Sequence, residues 1–322
     1  MMNKSLDNNK KIRYTAVLVL GLIIFGMFIT TVSASTSYQS TLTKGTKEFI
    51  ITQYNKSAWK NTVDTNSNPN SWFDGIANVT NAKSKYTIIG WSYTTWQTYD
   101  VLTTIFMPQY FSPLVMFGLL ETMNSKGYNE TTINTNYTTS YNVWYGLRAV
   151  WNFTDGNFEE APSYIEGVFV LQNPSLFKPM IDDYNNLSAK LNGVLMFPYF
   201  PILTADQFLW QMALNGLAIA EPQEGYLTNL VNGLGCENAS VNGKTLIFDR
   251  YGIANYTVEI SYGTEGLIST FTVKDSSDDI IFKFVSTDSN WLFYMILIIV
   301  AVIIVVLAAF LIIRHRKIKK NR

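Results

Sequence analysis

Residues 245–284 read TLIFDRYGIANYTVEISYGTEGLISTFTVKDSSDDIIFKF. Four runs in and around this stretch carry the β-branched and aromatic residues that suit a half-buried pleated surface: TLIFDR, IANYTVEISY, LISTFTVK and DIIFKFVS. The turn Gly263–Gly266 and the polar residues 275–279 separate the last three, so the spacing predicts an antiparallel meander.

The segment upstream of the meander reads as helical. Asn173-Pro174 starts one helix, Pro179 is expected to interrupt or restart it, and Gly193 ends it. Thr204 and Gln207 have capping-box spacing before the apolar run that holds Phe208, Trp210 and Met212. That run has little polar face, so it predicts a buried helix, and these three residues are candidates for lining an apolar pocket. Pro222 opens a third helix.

Nearer the N-terminus, β signals return. EFIITQY (48–54), SYIEGVFVLQ (163–172) and the long run YTIIGWSYTTWQTYDVLTTIF (86–106) predict strands, with Gly90 marking a bulge. Residues 129–156 alternate Thr, Tyr, Val and Trp with polar residues and predict a pair of strands. Between these lie the turn-rich loop 61–75 and a helix opened by Ser112 and Pro113. The fold class is therefore α+β: an antiparallel β-sheet domain with an inserted helical segment, over residues 46–290, divisible into subdomains 46–172 and 173–290. Residues 35–45 read as a polar leader.

The meander ends a few residues before WLFYMILIIVAVIIVVLAAFLII, residues 291–313, a run of 23 uncharged residues. As a helix it would extend about 34 Å, enough for a hydrocarbon core of roughly 30 Å. The basic tail 314–322 follows, so the positive-inside rule places the tail in the cytoplasm and the domain outside. Residues 1–34 repeat this logic, with Lys4, Lys10, Lys11 and Arg13 before an apolar stretch and the small residues Val32-Ser33-Ala34. They read as a signal peptide, or as an anchor if uncleaved. The expected location is the plasma membrane, single-pass with the lipid bilayer as first partner, or two-pass without cleavage.

This topology divides the charge. The chain is formally neutral, yet residues 36–290 hold 14 Lys+Arg against 23 Asp+Glu. An acidic exported domain argues against a nucleic-acid partner. The sole cysteine, Cys236, rules out an internal disulfide and points to a prokaryotic surface protein.

Chemistry is bounded mainly by one residue. The only histidine, His315, falls in the tail, so the exported part has no imidazole general base and lacks the commonest zinc ligand. No catalytic residue, cofactor or metal is assigned. Glu159-Glu160, Asp182-Asp183 and the cluster Asp275, Asp278 and Asp279 leave room for a carboxylate-based hydrolase only. Residues 64–75 begin like an EF-hand loop but place Pro69 and Gly75 where glycine and glutamate are required. Eight sequons are candidate N-glycosylation sites: Asn55, Asn78, Asn129, Asn136, Asn152, Asn186, Asn238 and Asn255. Trp91, Tyr93, Trp96 and Tyr99 form a candidate binding face for a surface protein or glycan.

Four stretches, SYIEGVFVLQNPSLF, FPYFPILTADQFLWQMA, EGYLTNLV and YTVEISYGTEGLISTFTVKDSSDDIIFKF, carry a resemblance. Over roughly residues 45–313 the chain resembles a group of archaeal (Asgard-type) membrane-anchored cell-surface proteins with an N-terminal signal and a C-terminal transmembrane helix. The resemblance implies location and topology, and no activity. The meander also resembles the sheets of lipoprotein-carrier half-barrels, which wrap helices and hold lipid; no lipobox cysteine follows the signal here. The expectation is a non-enzymatic cell-envelope protein acting in adhesion, recognition or surface structure. The alternative is a tethered binder of lipid or another apolar ligand.

Overall fold

The computed structural model describes residues 37–194 and 199–287. The signal stretch, the apolar run 291–313 and the basic tail lie outside the described residues. Among the described residues no helix is long and apolar enough to cross a membrane.

The domain is α+β and is built on one antiparallel sheet of nine strands. The strands are β1 (Gly45–Tyr54), β2 (Lys83–Trp96), β3 (Tyr141–Thr154), β4 (Tyr164–Leu171), β5 (Ala239–Asn242), β6 (Thr245–Tyr251), β7 (Asn255–Tyr262), β8 (Ile268–Asp275) and β9 (Ile280–Thr287). Their order is β4-β3-β2-β1-β9-β8-β7-β6-β5. Two meanders thus run outward from a central seam where β9 returns beside β1, in register Ile51↔Phe284. The seam makes the sheet continuous across residues 172 and 173.

The stretch 245–284 folds as four strands, β6 to β9. In β7 the residues Tyr256, Val258, Ile260 and Tyr262 alternate inward. Ile260 pairs with Phe271, and Phe271 with Phe284, which carries one apolar row across three strands. The Phe271 and Phe284 rings stack at 5.4 Å. Such ring pairs add about 0.5–1.5 kcal/mol beyond their buried area.

Among the described residues there are eight α-helices: α1 (Lys56–Thr62), α2 (Thr98–Val101), α3 (Met107–Tyr110), α4 (Pro113–Ser125), α5 (Glu130–Asn136), α6 (Phe177–Val194), α7 (Ala205–Leu214) and α8 (Gln223–Leu234). A π-turn, Leu102–Phe106, joins α2 to α3. The sheet curls, and Phe106, Phe177, Phe208 and Met212 lie fully buried in one continuous core. Phe106 stacks on Tyr184 of α6 at 3.7 Å, and Phe177 meets Phe208 of α7 at 6.1 Å.

Three local expectations are corrected. The strand expected through residue 106 stops at Trp96. Asp100 accepts the backbone N–H of Gln97 at 2.8 Å and starts α2. Val101, Leu102, Ile105 and Phe106 then bury one helical face, and this packing overrides their β propensity. The strand pair expected over 129–156 is a helix and one strand, because Asn129 caps α5 through the N–H of Thr132. Near Pro179 the helix restarts: the 3₁₀ turn Pro174–Leu176 runs into α6, and the proline falls in the first turn of α6, where proline is tolerated. The polar leader is packed: Leu42 is 1 % exposed, and Gln39 exchanges two backbone hydrogen bonds with Glu221.

That second exchange belongs to a strap, residues 216–221, which crosses between the two meanders. Ala218 N–H bonds Phe169 of β4, and Ile219 N–H bonds Gly266 in the β7–β8 turn. Gly266 sits at φ +78, and a Cβ there would lie 2.1 Å from the Ile219 carbonyl oxygen. The glycine is required twice over, by the left-handed backbone and by the close approach.

Candidate functional site

An open groove of about 610 Å³ lies between the first turns of α7 and strands β6 and β7. Its organising residue is Arg250, near the end of β6 and opposite Tyr256 of β7. Arg250 Nε donates to the Tyr256 hydroxyl at 3.2 Å. Its guanidinium lies over the Trp210 ring, 4.0 Å from the centroid. Trp210 is held edge-on by Phe248 at 5.2 Å and by Trp72 at 5.3 Å. Arginine stacked in this way loses little further freedom when its planar fork engages a ligand.

Among the described residues no carboxylate pairs with Arg250; the four ion pairs are Lys47–Glu265, Arg148–Glu166, Lys178–Asp182 and Lys274–Glu259. The groove's own acids are occupied. Asp206 accepts the backbone N–H groups of Glu237 at 3.2 Å and Asn238 at 3.0 Å, which ties α7 to the turn before β5. Asp249 takes the Thr257 hydroxyl at 3.5 Å. Next to Asp206, burial and then that carboxylate push the Cys236 thiol up to about 12, so it stays protonated.

A second concavity, about 160 Å³, lies under the loop Trp72–Asp74 against β2, β3 and β4. Arg148 pairs with Glu166 at 2.6 Å across β3 and β4 and lies over the Tyr86 ring at 5.3 Å. Three atoms of its lining, Tyr86 Oη, Arg148 Nε and Asn152 Oδ1, are shut off from solvent and have no hydrogen-bond partner. Burial pushes the Tyr86 phenol far above its usual range, with Arg148 opposing.

No family model, curated protein or solved structure matches the chain. The site's chemistry therefore rests on its own geometry.

The candidates from sequence are dispersed. Trp91 and Tyr93 are exposed, by 36 % and 51 %, and Tyr93 meets Trp144 edge-on. Trp96 is buried against Tyr145 and Phe169, and Tyr99 is half-buried, so the four do not share one open face. Phe208 and Met212 are core residues; Trp210 alone of that trio reaches the groove. Asn55, Asn136, Asn186, Asn238 and Asn255 are exposed, whereas Asn78, Asn129 and Asn152 are half-buried. Asn238 and Asn255 both line the groove.

The acidic pairs separate as well. Asp182 faces outward to Lys178, whereas Asp183 accepts the hydroxyls of Thr98 at 3.1 Å and Tyr141 at 3.0 Å within the core. Asp275 accepts the N–H groups of Ser277 and Asp279 and shapes its own turn. Asp64 likewise accepts the Asn66 N–H at 2.8 Å, which lowers its pKa. Among the described residues no cluster of His, Cys, Asp and Glu could hold a metal. Arg250 escaped the sequence reading. Its one signal was rarity, since residues 36–290 contain only two arginines, Arg148 and Arg250.

Proposed function

We propose that the chain is a single-pass cell-surface protein, held by residues 291–313, whose folded part works by recognition and not by catalysis. The observation that carries this reading is the groove. It offers an arginine fixed on tryptophan with no acid partner among the described residues, while the nearby carboxylates are engaged in structural hydrogen bonds. That arrangement suits a bound ligand and provides no paired acid and base across a cleft.

The anchor reading is supported by where β9 ends. β9 is an interior strand between β1 and β8, and three residues separate Thr287 from Trp291. That connection reaches at most about 14 Å, so a helix at 291–313 would hold the domain close to the bilayer. The curl around helices favours the lipid-binding alternative. The filled interior counts against it: Phe106, Phe177, Phe208 and Met212 occupy the space between helices and sheet in one continuous core.

Protease treatment of intact cells bearing a C-terminal epitope tests this topology. The expected result is loss of the folded part with a short tagged fragment left behind the membrane. A full-length tagged chain that becomes cleavable only after lysis would refute the surface assignment.

A further inference from the structure

We infer that the groove at Arg250 takes an acidic sugar, as a short oligosaccharide whose carboxylate meets the guanidinium. This deepens the recognition reading of the same groove and rests on it. Three observations lead there. Arg250 spends Nε on Tyr256 and its face on Trp210, which leaves the Nη1–Nη2 edge with no carboxylate among the described residues. That edge matches the two oxygens of a carboxylate.

The groove is also rich in donors. The carboxamide oxygens of Gln207 and Gln211 are taken by the Thr204 N–H and the Tyr110 hydroxyl, leaving their NH₂ ends to donate. An oxygen-rich ligand answers such a wall, and a hydroxylated ring carries acceptors on every side. Finally, the remaining lining combines polar side chains, among them Asn255, Thr257 and Ser276, with the ring of Tyr251, which is 77 % exposed. A sugar ring can place its C–H face on that phenol and its hydroxyls on the polar groups. A peptide would instead need apolar pockets for its side chains, and the lining provides aromatic faces only. About 610 Å³ exceeds the 150 Å³ or so that encloses one benzene ring, hence more than one sugar unit.

Asp206 and Asp249 do not cancel the arginine. Asp206 is held by the turn at 237–238. Asp249 also lines the groove, but it makes no ion pair with Arg250 and meets the Thr257 hydroxyl at 3.5 Å.

The test uses the full chain, solubilised in detergent and made in a host that does not N-glycosylate. Titration calorimetry compares trigalacturonate, its methyl ester, and a tripeptide with a free C-terminal carboxylate. The acid sugar should bind at least about ten-fold tighter than the ester, and Arg250→Gln should weaken it by roughly 10- to 100-fold. Arg250→Lys keeps the charge without the fork and should still lose about ten-fold. Tyr251→Ala, at an exposed position, should weaken binding with an unchanged melting temperature. Equal binding of acid and ester, or an Arg250→Gln variant of full affinity, overturns the acidic class while leaving recognition intact. A tripeptide that binds as tightly as the uronide overturns the sugar. Failure of all three probes overturns recognition at the groove itself.

Discussion

Four tyrosines of the core are buried alike and bonded differently, so one substitution should have two signs. Tyr86 and Tyr262 are 6 % and 0 % exposed, and neither hydroxyl has a partner. Tyr141 and Tyr226 are both 0 % exposed, but Tyr141 donates to Asp183 at 3.0 Å and Tyr226 to the Leu171 carbonyl at 3.1 Å. Replacing each by phenylalanine removes one oxygen and preserves the ring. A neutral hydrogen bond contributes about 0.5–1.5 kcal/mol and one to a charged group about 1.5–3 kcal/mol, whereas an unpaired buried polar group costs about 1–3 kcal/mol. Tyr141→Phe should therefore cost about 2 kcal/mol, the more so because Thr98 is left to satisfy Asp183 alone, and Tyr226→Phe should cost about 1 kcal/mol. Tyr86→Phe and Tyr262→Phe should instead gain about 1 kcal/mol each, since the hydration they forgo is already lost. For a domain of this size each kcal/mol corresponds to roughly 2–4 °C in melting temperature. Urea unfolding of the four variants measures the effect, with an unchanged m-value confirming that only stability moved. If all four variants lose comparable stability, the two hydroxyls described as unpartnered are bonded and this account of the core is wrong.

Burial raises the phenol pKa of Tyr86, Tyr141, Tyr184, Tyr226 and Tyr262 above the ordinary value of 10.0. A raised folded value means that stability is held below pH 10 and lost as pH rises above it, by about 1.4 kcal/mol per pH unit for each tyrosine. The urea midpoint should thus fall steeply between pH 10 and 11, and a flat profile there would contradict the burial of these rings. At the groove, Asn238 and Asn255 stand at the rim, so glycans on both would cover Arg250. Chain from a glycosylating host should bind trigalacturonate more weakly than unglycosylated chain, with Asn238→Gln plus Asn255→Gln restoring it; no difference between hosts despite occupied sites would count against the groove. On α4, Leu114 and Phe117 are 83 % and 69 % exposed. Changing both to serine should leave stability within about 0.5 kcal/mol per site and lower any self-association seen by light scattering, and a large loss of stability would show that the face is covered.

What was legible in the chain follows from the range of the forces involved. Strands β6 to β9 and helix α7 announce themselves because alternation and a capping box are local signals, complete within a few residues. The pairing of β1 with β9 has no local signature, since the register Ile51↔Phe284 is decided by the rest of the fold. The segment 97–106 shows local signals in conflict: Thr and Ile favour a strand, but one carboxylate at Asp100 and a buried helical face outweigh them. The aromatic candidates fail for a simpler reason. Trp91 and Tyr93 share one face of β2, whereas Trp96, an odd number of residues further on, turns to the other face and is covered by Tyr145 and Phe169, a division that strand alternation alone already implies. Arginine carried a different kind of information. In a region where acids outnumber bases by 23 to 14, an arginine sits among many available carboxylates. Arg148 takes one and is closed into the sheet. Arg250 takes none among the described residues, and aromatic rings hold it at the edge of an open groove.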